Sequence, residues 1–154
     1  PLTSLLEFTI ITVALTAFGD AVSGIDVTGS VINLQGLSSE AFSFPRDGTI
    51  TSIAAYLSTT VGLTLGTNTI TVQAQVYTSP TPNDVFTAVP GAVVTLSPTL
   101  TGTLSIGTVL SGITTDLSIP VTAQTRVMLV YSITSTGGVI QTVVGLASAG
   151  LAIQ

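Results

Sequence analysis

The chain has no cysteine, no histidine, no tryptophan and no lysine; its two cations are Arg46 and Arg126. Each absence removes a class of chemistry. Without cysteine there are no disulfides, no thiolate nucleophile and no Cys-ligated metal. Without histidine or lysine the usual bases that activate a serine are missing. Ser148 in "GLASAG" lies three residues after Gly145, so the spacing of a nucleophile elbow fails. Charge is scarce too. Charged residues make up 6% of the chain, against about 25% in an ordinary globular domain. Two separated arginines cannot neutralise a phosphate backbone, so nucleic acid is excluded as a partner. Anionic membrane surfaces are excluded on the same ground.

The seven acids are Glu7, Asp20, Asp26, Glu40, Asp47, Asp84 and Asp116, giving a net charge of −5. They are scattered, mostly at turns, where an Asp side chain bonds local backbone. A glycosidase would need two carboxyls facing each other, a meeting that sequence spacing alone does not exclude, but the turn reading is the stronger one. Calcium is the metal that oxygen ligands would suit. Yet neither Asp20 with Asp26 nor Asn83 with Asp84 matches a binding loop, and neither cofactor nor metal is expected. Mean hydropathy is high, at +0.78. No run reaches the roughly 18 apolar residues of a spanning helix. The most apolar stretch, Leu5 to Phe18, contains Glu7 and is broken by Thr9, Thr12 and Thr16. It reads as strand, with no membrane insertion, and it could exchange between subunits as a pilus strand does.

What is present is β-forming. Thr, Val and Ile favour a pleated, half-buried surface, and no stretch shows helical periodicity. Asn68–Thr78 alternates clearly: Ile70, Val72, Ala74 and Val76 on one face, Thr69, Thr71, Gln73, Gln75 and Tyr77 on the other. Further strands are expected at Ile10–Thr16, Ile25–Leu34, Ala41–Phe44, Thr49–Ser58, Ala92–Leu96, Leu104–Val109, Thr114–Ile119, Thr125–Thr134 and Gly145–Ile153. "VPGA" (89–92) reads as a Pro-Gly turn and "STGG" (135–138) as a hairpin end. About ten short strands in 154 residues predict a single all-β domain, a jelly-roll sandwich. Residues 1–24 form a less regular start that could pack on a neighbouring subunit.

Two segments carry expectations about sites. In Thr125–Thr134 both faces are apolar: Val127, Leu129, Tyr131 and Ile133 on one, Met128 and Val130 on the other. With no helix to cover the second face, a neighbouring subunit is the expected cover, and Arg126, Met128, Val130 and Tyr131 are the interface candidates. "PRDG" (45–48) combines Pro45, Asp47 and Gly48 as a turn would. It reads as a hairpin connector with Gly48 at positive φ. Arg46 and Asp47 are then turn or ion-pair residues, with Glu40 and Asp116 as possible partners for the guanidinium. Tyr77, Asp84 and Phe86, near the "SPTPND" loop, are the cluster a receptor- or glycan-binding tip would use.

Four stretches carry a family resemblance: "AFSFPRDGTITSIAAYLSTT" (41–60), "PNDVFTAVPGAVVTLSPTLTGTLSIGT" (82–108), "TDLSIPVTAQTRVMLVYSIT" (115–134) and "GLASAGLAI" (145–153). Over about residues 25 to 154 the chain resembles the C-terminal domain of the BclB-type exosporium glycoproteins, collagen-like proteins of spore-forming Bacillus and Clostridium relatives. The resemblance implies a C1q- and tumour-necrosis-factor-like trimeric head with no catalytic residues. It would register three collagen-like chains at the tip of a filament on the outer face of a spore. Its partners would be two further copies of itself, other spore-surface or appendage proteins, and, in the alternative adhesin or fibre-tip role, a host surface or glycan. Gly-x-y repeats precede this domain in that family; here the chain begins at Pro1 and contains none, which reads as a cut segment of a glycoprotein.

Overall fold

The computed structural model describes residues 2–4, 10–16, 21–26, 29–35, 41–81, 83–137 and 141–154. Those residues form fourteen strands and no helix: β1 (Leu2–Ser4), β2 (Ile10–Thr16), β3 (Ala21–Asp26), β4 (Val31–Asn33), β5 (Phe42–Ser43), β6 (Gly48–Thr59), β7 (Leu63–Ser79), β8 (Val85–Thr95), β9 (Leu100–Leu104), β10 (Val109–Thr114), β11 (Ile119–Val121), β12 (Arg126–Thr136), β13 (Gln141–Val143) and β14 (Gly145–Ile153). They build two sheets. The larger runs β13-β1-β2-β12-β7-β8-β4, with β3 on β2, β5 on β12 and β9 on β7. The smaller runs β10-β6-β11, with β14 on the other side of β6. Every pairing is antiparallel.

The long antiparallel pair of β7 and β12, in register from Arg126↔Ser79 to Thr136↔Thr69, is the spine of the larger sheet. As the alternation predicts, Ile70, Val72, Ala74 and Val76 of β7 are fully buried. They share one core with Val127, Leu129, Tyr131 and Ile133 of β12 and with Ile50, Ile53, Ala55 and Leu57 of β6. The two sheets therefore pack over one apolar layer, and each fully buried aliphatic side chain contributes about 1.5–3 kcal/mol.

Several boundaries differ from the sequence reading. Ile10–Thr16 and Gly145–Ile153 are strands with the expected bounds. Leu104–Val109 is not a strand: it holds the turn between β9 and β10, with Gly107 at φ +83°. Buried Thr59 pins that turn, accepting the Gly107 N–H at 2.7 Å and donating its backbone N–H to the Thr108 carbonyl at 2.9 Å. Thr114–Ile119 is likewise mostly loop, with Asp116 at φ +60°. "VPGA" does not end a strand. It is a bulge inside β8, where Gln75 pairs with Val93 and Tyr77 with Ala88, and Gly91 takes φ +80°. "STGG" does not turn β12 back on itself either, because β13 pairs with β1, two strands away; Gly138 lies outside the described residues.

The N-terminal strands join the chain's own sheet. β2 pairs with β12 through Thr16↔Leu129 to Ala14↔Tyr131, and β1 and β3 flank it. The remainder of the Leu5–Phe18 stretch lies outside the described residues.

Candidate functional site

"PRDG" is an inter-sheet corner, not a hairpin. It joins β5, which pairs with β12 in the larger sheet, to β6, the centre of the smaller one. Gly48 has no positive φ. Its lack of a side chain serves close approach instead: a Cβ there would lie 2.7 Å from Ile153 Cγ2. Asp47 explains the corner. Its Oδ1 accepts the N–H of Ala123 at 2.7 Å, while the Phe44 carbonyl accepts the N–H of Gln124 at 2.7 Å and the Thr125 carbonyl accepts that of Phe44 at 3.0 Å. The corner is thus sewn to the turn that leads into β12, about eighty residues on. Arg46 is exposed and donates from Nη1 to the Asp47 carbonyl at 3.0 Å. Asp116 is bonded by the Thr115 hydroxyl at 3.1 Å, and Glu40 lies outside the described residues.

Arg126 makes the ion pair seen among the described residues, from Nη1 to Asp84 Oδ1 at 3.2 Å. It also donates to the Asn83 carbonyl at 2.6 Å, and its guanidinium lies 5.1 Å from the Phe86 ring centroid. Asn83 Oδ1 accepts from the Val85 N–H and from Ser79 Oγ. These oxygens are committed to protein donors that fasten the "SPTPND" loop onto β12. The guanidinium caps a second apolar cluster: Ile32, Leu34, Tyr77, Phe86, Met128 and Val130.

That cluster corrects two expectations. Met128 and Val130 are 0% and 2% exposed in the single chain, so β4 and the residue after it supply the cover expected from a neighbour. Neither has surface left for a subunit contact. Tyr77 and Phe86 are buried as well, so they cannot present aromatic faces to a receptor or glycan; burial pushes the Tyr77 phenol pKa up.

Tyr131, the last interface candidate, points the other way, into the main core, and is 1% exposed. Its hydroxyl donates across the sandwich to the Ser148 carbonyl of β14 at 2.6 Å and lies 3.3 Å from the Tyr56 carbonyl of β6. Burial pushes its pKa up to about 12. The larger sheet is thereby tied to the smaller by one buried phenol.

The described surface that stands out is the outer face of the smaller sheet. Its pairing sets Val109, Ser58 and Leu146 abreast, then Ser111, Tyr56 and Ser148, then Ile113, Ala54 and Gly150. The sequence reading placed β6 and β14 but put strands on either side of β10 instead of at Val109–Thr114, and the rows follow from register between segments roughly fifty to ninety-five residues apart. The hollow bounded by Val61, Leu63, Leu104 and Val143 holds about 30 Å³, room for one water and far below a ligand pocket.

Comparison with known proteins gives one informative similarity. Over 113 residues, 73% of its length, the chain is 38% identical to a curated protein of Acanthamoeba polyphaga mimivirus named "Collagen-like protein 1". The matched stretch spans 12% of that protein. No protein-family model matches the chain. No solved structure matches it either.

Proposed function

We propose that this domain is a non-enzymatic head, a jelly-roll that associates as a homotrimer and sets the register of a collagen-like stalk. The observation that carries the reading is the similarity to a collagen-like protein across most of the chain. Physical reasoning supports it. A triple helix needs three chains aligned in register, and closing that nucleus costs conformational entropy. A compact β-domain that associates in threes provides the alignment without needing Gly-x-y repeats of its own. A thin, lysine-free surface charge and the burial of Phe44, Tyr77, Phe86 and Tyr131 suit a structural role better than recognition of a charged ligand. In this reading the head tips a filament on the outside of a spore or a comparable particle, among other surface proteins.

The test has two parts. Size-exclusion chromatography with light scattering should give three times the 15.5 kDa chain mass at micromolar concentration; a stable monomer overturns the reading. Fused after a segment of Gly-Pro-Pro repeats, the head should raise the melting temperature of the triple helix and speed its refolding after heating. Unchanged triple-helix melting and refolding would remove the registering role even if the head itself were trimeric.

A further inference from the structure

We infer that copies of this chain meet through the outer face of the sheet formed by β10, β6 and β14. The inference rests on the self-associating head proposed above and names the surface that performs it.

The first observation is where the exposed apolar side chains lie. Ile113 is 67% exposed, Leu146 69%, Val109 48% and Tyr56 39%, and all four stand on this one face. Val61 and Ile106 sit in turns, and Val31 and Val85 lie on the other sheet. Between the four project only Ala54, Gly150 and the serines 58, 111 and 148. The middle of the face is therefore low, and a second layer can approach to the roughly 10 Å of packed sheets.

The second observation decides the occupant. Each copy carries a net charge of −5, so two copies repel wherever acids face each other. No residue of β6, β10, β11 or β14 is charged. The face is thus one on which identical chains can meet without burying or opposing charge. A partner recognised by its basic groups would find no anion here. The serine hydroxyls both donate and accept, so they can bond to whichever polar groups of a neighbouring copy meet them. The footprint can be sized: the strands of twelve, six and nine residues, at about 3.3 Å per residue and about 4.8 Å per strand, present on the order of 400–450 Å². That is about half of the ~800 Å² per partner of a standard interface, before any contribution from an adjoining edge.

The third observation is that edge. β10 is closed on its outer side by Ser97 and Ser111, whose backbones exchange two 2.9 Å bonds, and by Thr114 Oγ1 donating to the Val93 carbonyl at 2.7 Å. β14 has no strand on its outer side among the described residues. The Thr60 N–H donates to the Val144 carbonyl, which fixes the parity of the β6–β14 ladder. The backbone groups of Gly145, Ala147, Ala149 and Leu151 consequently point to the open side. An uncharged edge without proline is one that another chain can engage, and Leu146 stands at its border. The partner copy therefore lies over the face on the β14 side.

The test uses the whole chain. By light scattering, Leu146→Glu and Ile113→Glu should each lower the mass to that of one chain while circular dichroism still shows a folded β-protein. Ile106→Glu, in an exposed turn, and Val85→Glu, on the other sheet, should keep the wild-type mass. A trimeric wild type whose Leu146→Glu and Ile113→Glu variants stay trimeric overturns this surface and leaves the trimer standing. A monomeric wild type overturns both. Should the glutamate variants fail to fold, Ser111→Cys gives a second readout, because the chain has no cysteine of its own. Alkylation of that thiol should be at least tenfold slower at micromolar concentration than after dilution to monomer; an equal rate at both concentrations overturns the proposal. Association of the wild type with phosphatidylcholine vesicles in place of self-association would overturn it too.

Discussion

Tyr131→Phe removes one oxygen and leaves the ring that fills the core. At neutral pH the variant loses the bond from the hydroxyl to the Ser148 carbonyl, 2.6 Å long and buried. The net loss for one such bond is about 1 kcal/mol, or a fall of roughly 2–4 °C in melting temperature for a chain of this size. Alkaline pH should reverse the order. In the unfolded chain the phenol ionises near 10, while in the fold its pKa is pushed up to about 12. The native state therefore holds a proton that the unfolded state releases. Wild-type stability owed to Tyr131 is complete below pH 10 and is lost as pH rises from 10 towards 12, at no more than about 1.4 kcal/mol per pH unit. By about pH 11 the loss equals the bond gained at neutrality, and wild type and Tyr131→Phe should be equally stable; above it the variant is the more stable. Urea unfolding of both proteins at pH 8, 10, 11 and 11.5 measures this, and subtracting one from the other cancels the remaining tyrosines. A wild-type advantage that stays constant from pH 8 to 11.5 would refute the argument that the buried phenol ties the two sheets as a neutral donor.

Three further outcomes are expected. Met128→Glu places an unpaired carboxylate at a position 0% exposed, which costs about 3–5 kcal/mol or more; it should unfold or aggregate the chain, and a folded, soluble variant with wild-type melting would disprove the second cluster. Asp47→Ala removes the acceptor for the Ala123 N–H and should lower stability by about 1–2 kcal/mol in urea unfolding, with Asp47→Asn recovering most of it because an amide oxygen still accepts. Gly112→Ala puts a Cβ 2.6 Å from the Thr95 carbonyl oxygen and 2.8 Å from Val94 Cγ1, forcing β10 away from β8; urea unfolding should show a loss of about 1–3 kcal/mol, and unchanged stability would refute that close approach.

Much of the class was legible in the residues themselves. A chain without lysine, histidine or cysteine, rich in Thr, Val and Ile and alternating in short runs, is an all-β domain with little means for acid–base or thiol chemistry. Asn68–Thr78 declares its buried face, and Ile10–Thr16 and Gly145–Ile153 declare their bounds, because extended preference and period-two patterning are local properties. Pairing is not local. Whether Pro45–Gly48 turns a hairpin or crosses between sheets depends on which distant strands β5 and β6 join, and Asp47 finds its partner at Ala123. The apolar residues Met128 and Val130 announced that something must cover them; only the tertiary structure shows Ile32 and Leu34 of the same chain doing so. The exposed face was hidden for the same reason: Tyr56 and Leu146 look like ordinary strand residues, and Ile113 falls between two expected strands, until antiparallel register sets the three on one face. Composition and patterning decide what each segment can be. Long-range register decides what it faces, because the hydrogen bonds and apolar contacts that select it join residues far apart in the chain.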